Sequence, residues 1–212
     1  MGVLNVSASG GLLMRAMAGS RAKVGLRGWL RFWLRGMIGL CVFLLLVAPP
    51  ALRAESKEYQ IKAAFLFNFA QFVLWPETAF TNASEPFEIG VLGNSPFDNA
   101  LEEIVHGETI QGRQIVIVHS SHVEKLAGCQ MLFVCKSEAG HLGEVFQKLD
   151  SKPVLTVSED AAFIRHGGII NFYREGSKIR FEINPDAADK NGLKLSSQLL
   201  SVGKIVHSDG AK

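Results

Sequence analysis

Four short apolar runs, each followed by a segment of helical spacing or by a turn, limit this chain's fold more than any other feature. They span residues 87–93, 114–118, 130–135 and 153–157. Each is too short for a typical helix and too continuously apolar for a strand with one wet face. After the first run, Asn94-Ser95-Pro96 reads as a cap, and Phe97, Leu101, Ile104 and Val105 are spaced to bury one helix side before Gly107 ends it. A short helix is expected over residues 122–126. Leu142, Val145, Phe146 and Leu149 mark another, and Ser158 caps a short one through Ile164. Such alternation implies a parallel sheet with right-handed crossovers. The expected fold class is α/β: a single three-layer domain, a mostly parallel sheet of about four strands, and helices on both faces.

A hairpin should close the sheet. Residues 167–173 and 179–184 are β-prone, and the polar turn between them contains Gly176. In the second run Ile179, Phe181 and Ile183 alternate with Arg180, Glu182 and Asn184, so one face is apolar. Gly167-Gly168 before the first run permits close backbone approach. Asn184-Pro185-Asp186 caps a helix that Gly192 ends, and Ser196 or Ser197 caps a last one over residues 198–206.

Residues 58–75 read as the first helix. Only Lys62, Asn68 and Gln71 interrupt its apolar run from Ile61 on, and Pro76 stops it. Phe65, Phe67, Phe69, Phe72 and Trp75 are too many for one core stripe. Either the domain wraps the helix or part of it meets another chain, a second copy or a protein partner. Phe65, Phe69, Phe72 and Trp75 are the candidate partner-binding residues. Insertion of this helix in a membrane is disfavoured by its polar residues.

Residues 1–54 are expected to stand apart from the domain as a signal peptide. They hold seven basic and no acidic residues, then an apolar core at 37–48, then Pro49-Pro50 and a small residue, Ala54. The apolar core falls short of the ~20 residues that span a bilayer, which favours a cleaved signal over a retained anchor. Of the chain's 22 basic and 20 acidic residues, the remainder, 55–212, keeps 15 and 20. The whole-chain excess of +2 thus belongs to export and does not indicate nucleic-acid binding. What remains is one domain of ordinary size, exported to an oxidising compartment.

That domain contains Cys129 and Cys135. With an extended segment of six residues spanning ~20 Å between them, two buried thiols are the simpler reading, and a local disulfide requires the segment to bend. The partial glycine pattern Gly90-Val91-Leu92-Gly93-Asn94-Ser95-Pro96 follows a strand, where some folds cradle phosphate, but it lacks GxGxxG and a Walker lysine, and reads as a plain turn. The histidines have no metal-ligand spacing, and no GxSxG elbow is present. Glu159 and Asp160 suit a helix start better than catalysis. No catalytic set, cofactor or metal is expected. Asn94 and Ser95 at a strand end, with Arg180 and Glu182 on the hairpin face, are the candidate lining of a ligand pocket.

Tyr59-Gln60-Ile61-Lys62-Ala63-Ala64-Phe65-Leu66-Phe67-Asn68-Phe69, closing with Trp75-Pro76, resembles the opening signature of the YfiR-like periplasmic proteins. Pro153-Val154-Leu155-Thr156-Val157-Ser158, Gly167-Gly168-Ile169-Ile170-Asn171-Phe172, Ile179-Arg180-Phe181-Glu182-Ile183-Asn184 and Leu193-Lys194-Leu195-Ser196-Ser197-Gln198-Leu199-Leu200 resemble its later blocks, in order. The resemblance implies an exported, non-enzymatic regulator that represses a membrane diguanylate cyclase by binding its periplasmic part, with an outer-membrane lipoprotein sequestering the regulator in turn. The expected output is cyclic-di-GMP, biofilm formation and motility. It also implies dimers and redox-sensitive disulfides, but two cysteines cannot supply two disulfides in one monomer. A sensor kinase is the alternative partner, with a small-molecule sensor as the alternative function.

Overall fold

The computed structural model describes residues 50–207. The expected signal segment lies outside these residues except for its last five. Residues 50–54 begin helix α1, Pro50–Gln71, so the expected cleavage point after Ala54 falls within that helix. Three strands, Phe87–Leu92 (β2), Met131–Val134 (β5) and Leu155–Ser158 (β6), sit where the first, third and fourth apolar runs place them. Arg113–Ser120 (β4) covers the second. β4, β2, β5 and β6 are neighbours in that order, all parallel. Ile170–Glu175 (β7) joins β6 in parallel, and Lys178–Ile183 (β8) turns back antiparallel to β7.

The sheet is larger and more mixed than expected. It has eight strands, because Thr109–Ile110 (β3) pairs antiparallel with β4 and Lys204–Ile205 (β10) pairs parallel with β8. Both additions are two residues long, too short for a two-residue period to register in sequence. The expected last helix stops at Val202 (α5, Ser197–Val202), capped by Ser196 Oγ accepting from Leu199 N at 3.2 Å. The first helix also stops early. Ser196 N donates to Phe72 O at 2.9 Å, and Val73–Leu74 (β1) pairs with Lys194–Leu195 (β9). That pairing satisfies the backbone just before Pro76, where helix is disfavoured.

Asn94-Ser95-Pro96 does not open a helix. Ser95 Oγ accepts from Phe97 N at 3.3 Å in a turn, and α2, Ala100–Val105, starts later. The segments expected as short helices near 122 and 161 are 3-10 turns, Val123–Lys125 and Ile164–His166. Leu142–Lys148 (α3) and Pro185–Lys190 (α4) form as read, the latter capped by Asn184 Oδ1 accepting from Ala187 N at 3.1 Å. Gly168 is tight for a reason other than backbone approach: a Cβ there would stand 2.2 Å from the Phe163 ring.

Alternate residues of each central strand feed two cores. Phe133 and Val157 join α1 and α2 residues on one face. Leu132 and Val134 join Leu142, Val145 and Phe163 on the other. Helices therefore cover both faces, as the apolar strands require.

Candidate functional site around helix α1

α1 turns ~100° per residue, which sorts its side chains into two stripes. Tyr59, Lys62, Ala63, Leu66, Phe69 and Ala70 face inward and are buried, as is Val73 of β1 just beyond the helix. Phe69 stacks on Phe172 at 5.6 Å and meets Phe181 edge-on at 4.8 Å. Ile61, Phe65 and Asn68 lie on the outer side, and Phe72, the first residue past the helix, continues it. Ile61 is 41% exposed and Phe72 37%, and Leu74 just beyond the helix is 64% exposed. Phe65 is half-buried, its ring against Phe172 and Phe181 at 6.0 and 5.5 Å.

The four aromatic residues predicted to bind a partner thus separate. Phe65 and Phe72 reach the surface. Phe69 and Trp75 are core residues, and Trp75 Nε1 donates to Gln130 O at 3.0 Å beside Phe87. A helical period over the aromatics does not make this split, since Phe65 and Phe69, one turn apart, share a face and stack at 5.9 Å, and Trp75 lies beyond the helix.

Lys62 falls on the inward stripe and is 3% exposed. Its ammonium pairs with Glu58, one turn back, at 2.6 Å, and with Glu159 at the end of β6. Glu159 also accepts from Tyr59 Oη at 2.9 Å and lies 3.6 Å from Lys136; Arg174 pairs with Glu58. Burial alone would push the Glu58 carboxyl up. The hydrogen bond and charge of Lys62, then those of Arg174, outweigh it and hold the carboxyl below the usual range. Glu159, read as a helix-start residue, is a buried counter-ion instead.

The predicted pocket does not assemble. Asn94 and Ser95 follow β2, while Arg180 and Glu182 lie on β8, with β5, β6 and β7 between them. Four strand spacings amount to ~19 Å. Arg180 pairs with Glu175 at 3.1 Å, and Glu182 lies 3.7 Å from Lys204. The Gly93 turn is filled from within. Asn94 N donates to Ser137 Oγ at 3.0 Å, and a Cβ on Gly93 (φ +91°) would stand 2.6 Å from the Glu138 carboxylate. A carboxylate there repels the anion that such a loop would otherwise hold.

Cys129 and Cys135 are free and buried. They flank β5 and belong to different cores. Burial pushes both thiols up to about 12, and Glu159 and Glu138 add to the effect at Cys135. Among the described residues no group of three or more His, Cys, Asp or Glu is placed to hold a metal ion.

A model of the YfiR/HmsC-like family matches residues 59–204, about two thirds of the chain, from within α1 to the first residue of β10. The chain belongs to the YfiR/HmsC-like family. This YfiR/HmsC-like chain carries the regulatory fold of a periplasmic family, and among its described residues no helix is long and apolar enough to cross a membrane. Two solved structures are similar to it at low identity. One is a conserved domain protein from Vibrio cholerae O1 biovar eltor: 11% identity, 56% of this chain, 54% of that one, TM-score 0.44. The other is the ABC domain from Streptococcus pneumonia in complex with L-Trp: 15% identity, 56% and 55%, TM-score 0.42. The chain spans about half the length of each.

Proposed function

We propose that this protein is a non-enzymatic periplasmic regulator that represses an inner-membrane diguanylate cyclase by direct contact with its periplasmic part. The observation that carries this reading is the outer stripe of α1. Ile61 and Phe65 share one helix face, and Phe72 and Leu74 follow it, all apolar and all wholly or partly open to solvent. A run of large apolar side chains on a helix already docked on its other side suits a second protein surface better than solvent. Family membership supports the setting, and the buried Lys62–Glu159 pair, sealed by its own counter-ions, offers no free acid, base or nucleophile.

Repression lowers cyclic-di-GMP, so biofilm formation falls and motility rises while the regulator is bound. An outer-membrane lipoprotein that sequesters the regulator would relieve it, and a second copy of the chain competes for the same apolar stripe. Deleting the gene tests the output. Cellular cyclic-di-GMP should rise severalfold and return to baseline on complementation with the exported protein. An unchanged level in the deletion strain would exclude cyclase repression. It would leave a sensor kinase as the partner to test.

A further inference from the structure

α1 is held to the sheet by different chemistry at its two ends. From Leu66 to Val73 the inward stripe is wholly apolar: Leu66, Phe69, Ala70 and Val73 are each at most 1% exposed. In the segment 58–63 ionic contacts, Lys62 with Glu58 and Glu159, Tyr59 Oη on Glu159, and Arg174 on Glu58, stand beside the buried Tyr59 ring and Ala63. The Tyr59 ring packs edge-on against Phe97 at 5.6 Å, and Tyr59 and Gln60 line a cleft of about 170 Å³ together with residues of the segment from Pro96 to Glu103.

Charges released from such a seam regain their hydration, which offsets most of the lost attraction; apolar side chains regain nothing. The seam therefore opposes opening less than the apolar half does. It also lies over a distinctive place. Strand order β4-β2-β5-β6-β7 is doubly wound, and Glu159 and Lys136 follow the carboxyl ends of β6 and β5, beside the Gly93 turn after β2. In sheets of this order the crevice outside those ends is where ligands enter.

We infer that residues 55–63 form an ionic latch that opens as a unit while residues 66–73 stay docked, uncovering Phe97 and the crevice at the ends of β2, β5 and β6. Opening breaks the contacts of Lys62 and Tyr59 with Glu159 and of Glu58 with Arg174 together, and Lys136 keeps Glu159 company once Lys62 leaves.

Hydrogen exchange read by mass spectrometry on the protein recovered from the periplasm tests this. Amides 59–63 have acceptors within the helix even when the chain starts at Glu55, and a double variant that leaves the helix start unchanged separates opening of the seam from end fraying. In the native protein they should exchange about tenfold faster than amides 67–71. The double variant Lys62→Met with Glu159→Leu replaces the ionic seam by an apolar one and should bring the two sets within about threefold of each other. Equal protection in the native protein would overturn the latch, and so would a double variant, folded by circular dichroism, that leaves the difference in place.

Discussion

Lys62 and Glu159 lie 97 residues apart in the chain and form an ion pair beneath α1, each side chain at most 5% exposed. The pair joins the first helix to the end of β6. It also fixes which face of α1 points inward, since rotating the helix to expose Lys62 would bury Asn68 and lift Leu66 and Phe69 out of the core.

Removing one partner should cost far more than removing both. Lys62→Met leaves the Glu159 carboxylate buried against Tyr59 with only Lys136 nearby, and should destabilise the domain by about 3–5 kcal/mol. Adding Glu159→Leu should recover most of that loss. Urea denaturation of the three proteins measures both steps.

Acid should weaken the seam through Glu58. Its folded-state carboxyl is held below the ordinary 4.5, so it contributes stability above that value and loses the contribution as pH falls through the folded-state value. Stability measured from pH 6 down to 3 should decline, and Glu58→Gln should flatten the decline. An equal slope in the variant would assign the acid sensitivity to other carboxylates.

The thiols should be inert. With values near 12 for both Cys129 and Cys135, roughly one thiol in 10,000 is ionised at pH 8. A thiol-reactive dye should label neither residue in the native protein within the time in which it labels both in urea. Melting temperatures with and without reductant should coincide. A shift on reduction would show a disulfide that the free pair lacks.

Residues on opposite stripes of α1 should separate stability from binding. Phe69→Ala removes a ring packed on Phe172 and Phe181 and should cost about 3–5 kcal/mol. Phe72→Ser, on the exposed side, should cost under about 1 kcal/mol yet weaken capture of the membrane partner.

The sheet was legible in sequence where strands are long and buried on both faces. Runs such as residues 131–134 have no other stable environment, and the alternation of Ile179, Phe181 and Ile183 placed the hairpin. The two-residue strands at 109, 194 and 204 were not legible, because backbone pairing with a distant partner decides them and no local pattern marks them. Lys62 escaped for a similar reason. Alone in an apolar run it reads as an interruption, and only the fold reveals that Glu159 waits opposite. The aromatics of α1 read as one set because Phe65 and Phe69 are neighbours one turn apart, and only the packing of the sheet residues Phe172 and Phe181 makes Phe69 the more buried ring.

Capture from solubilised membranes, using the exported protein and its Phe72→Ser/Leu74→Ser variant as bait, tests the central claim most directly. The native protein should recover an inner-membrane diguanylate cyclase with a periplasmic segment, and the double variant, folded by circular dichroism, should recover at most a tenth as much. Equal recovery by the two baits would contradict contact through the outer stripe of α1, and recovery of no membrane protein by the native bait would contradict repression by contact altogether.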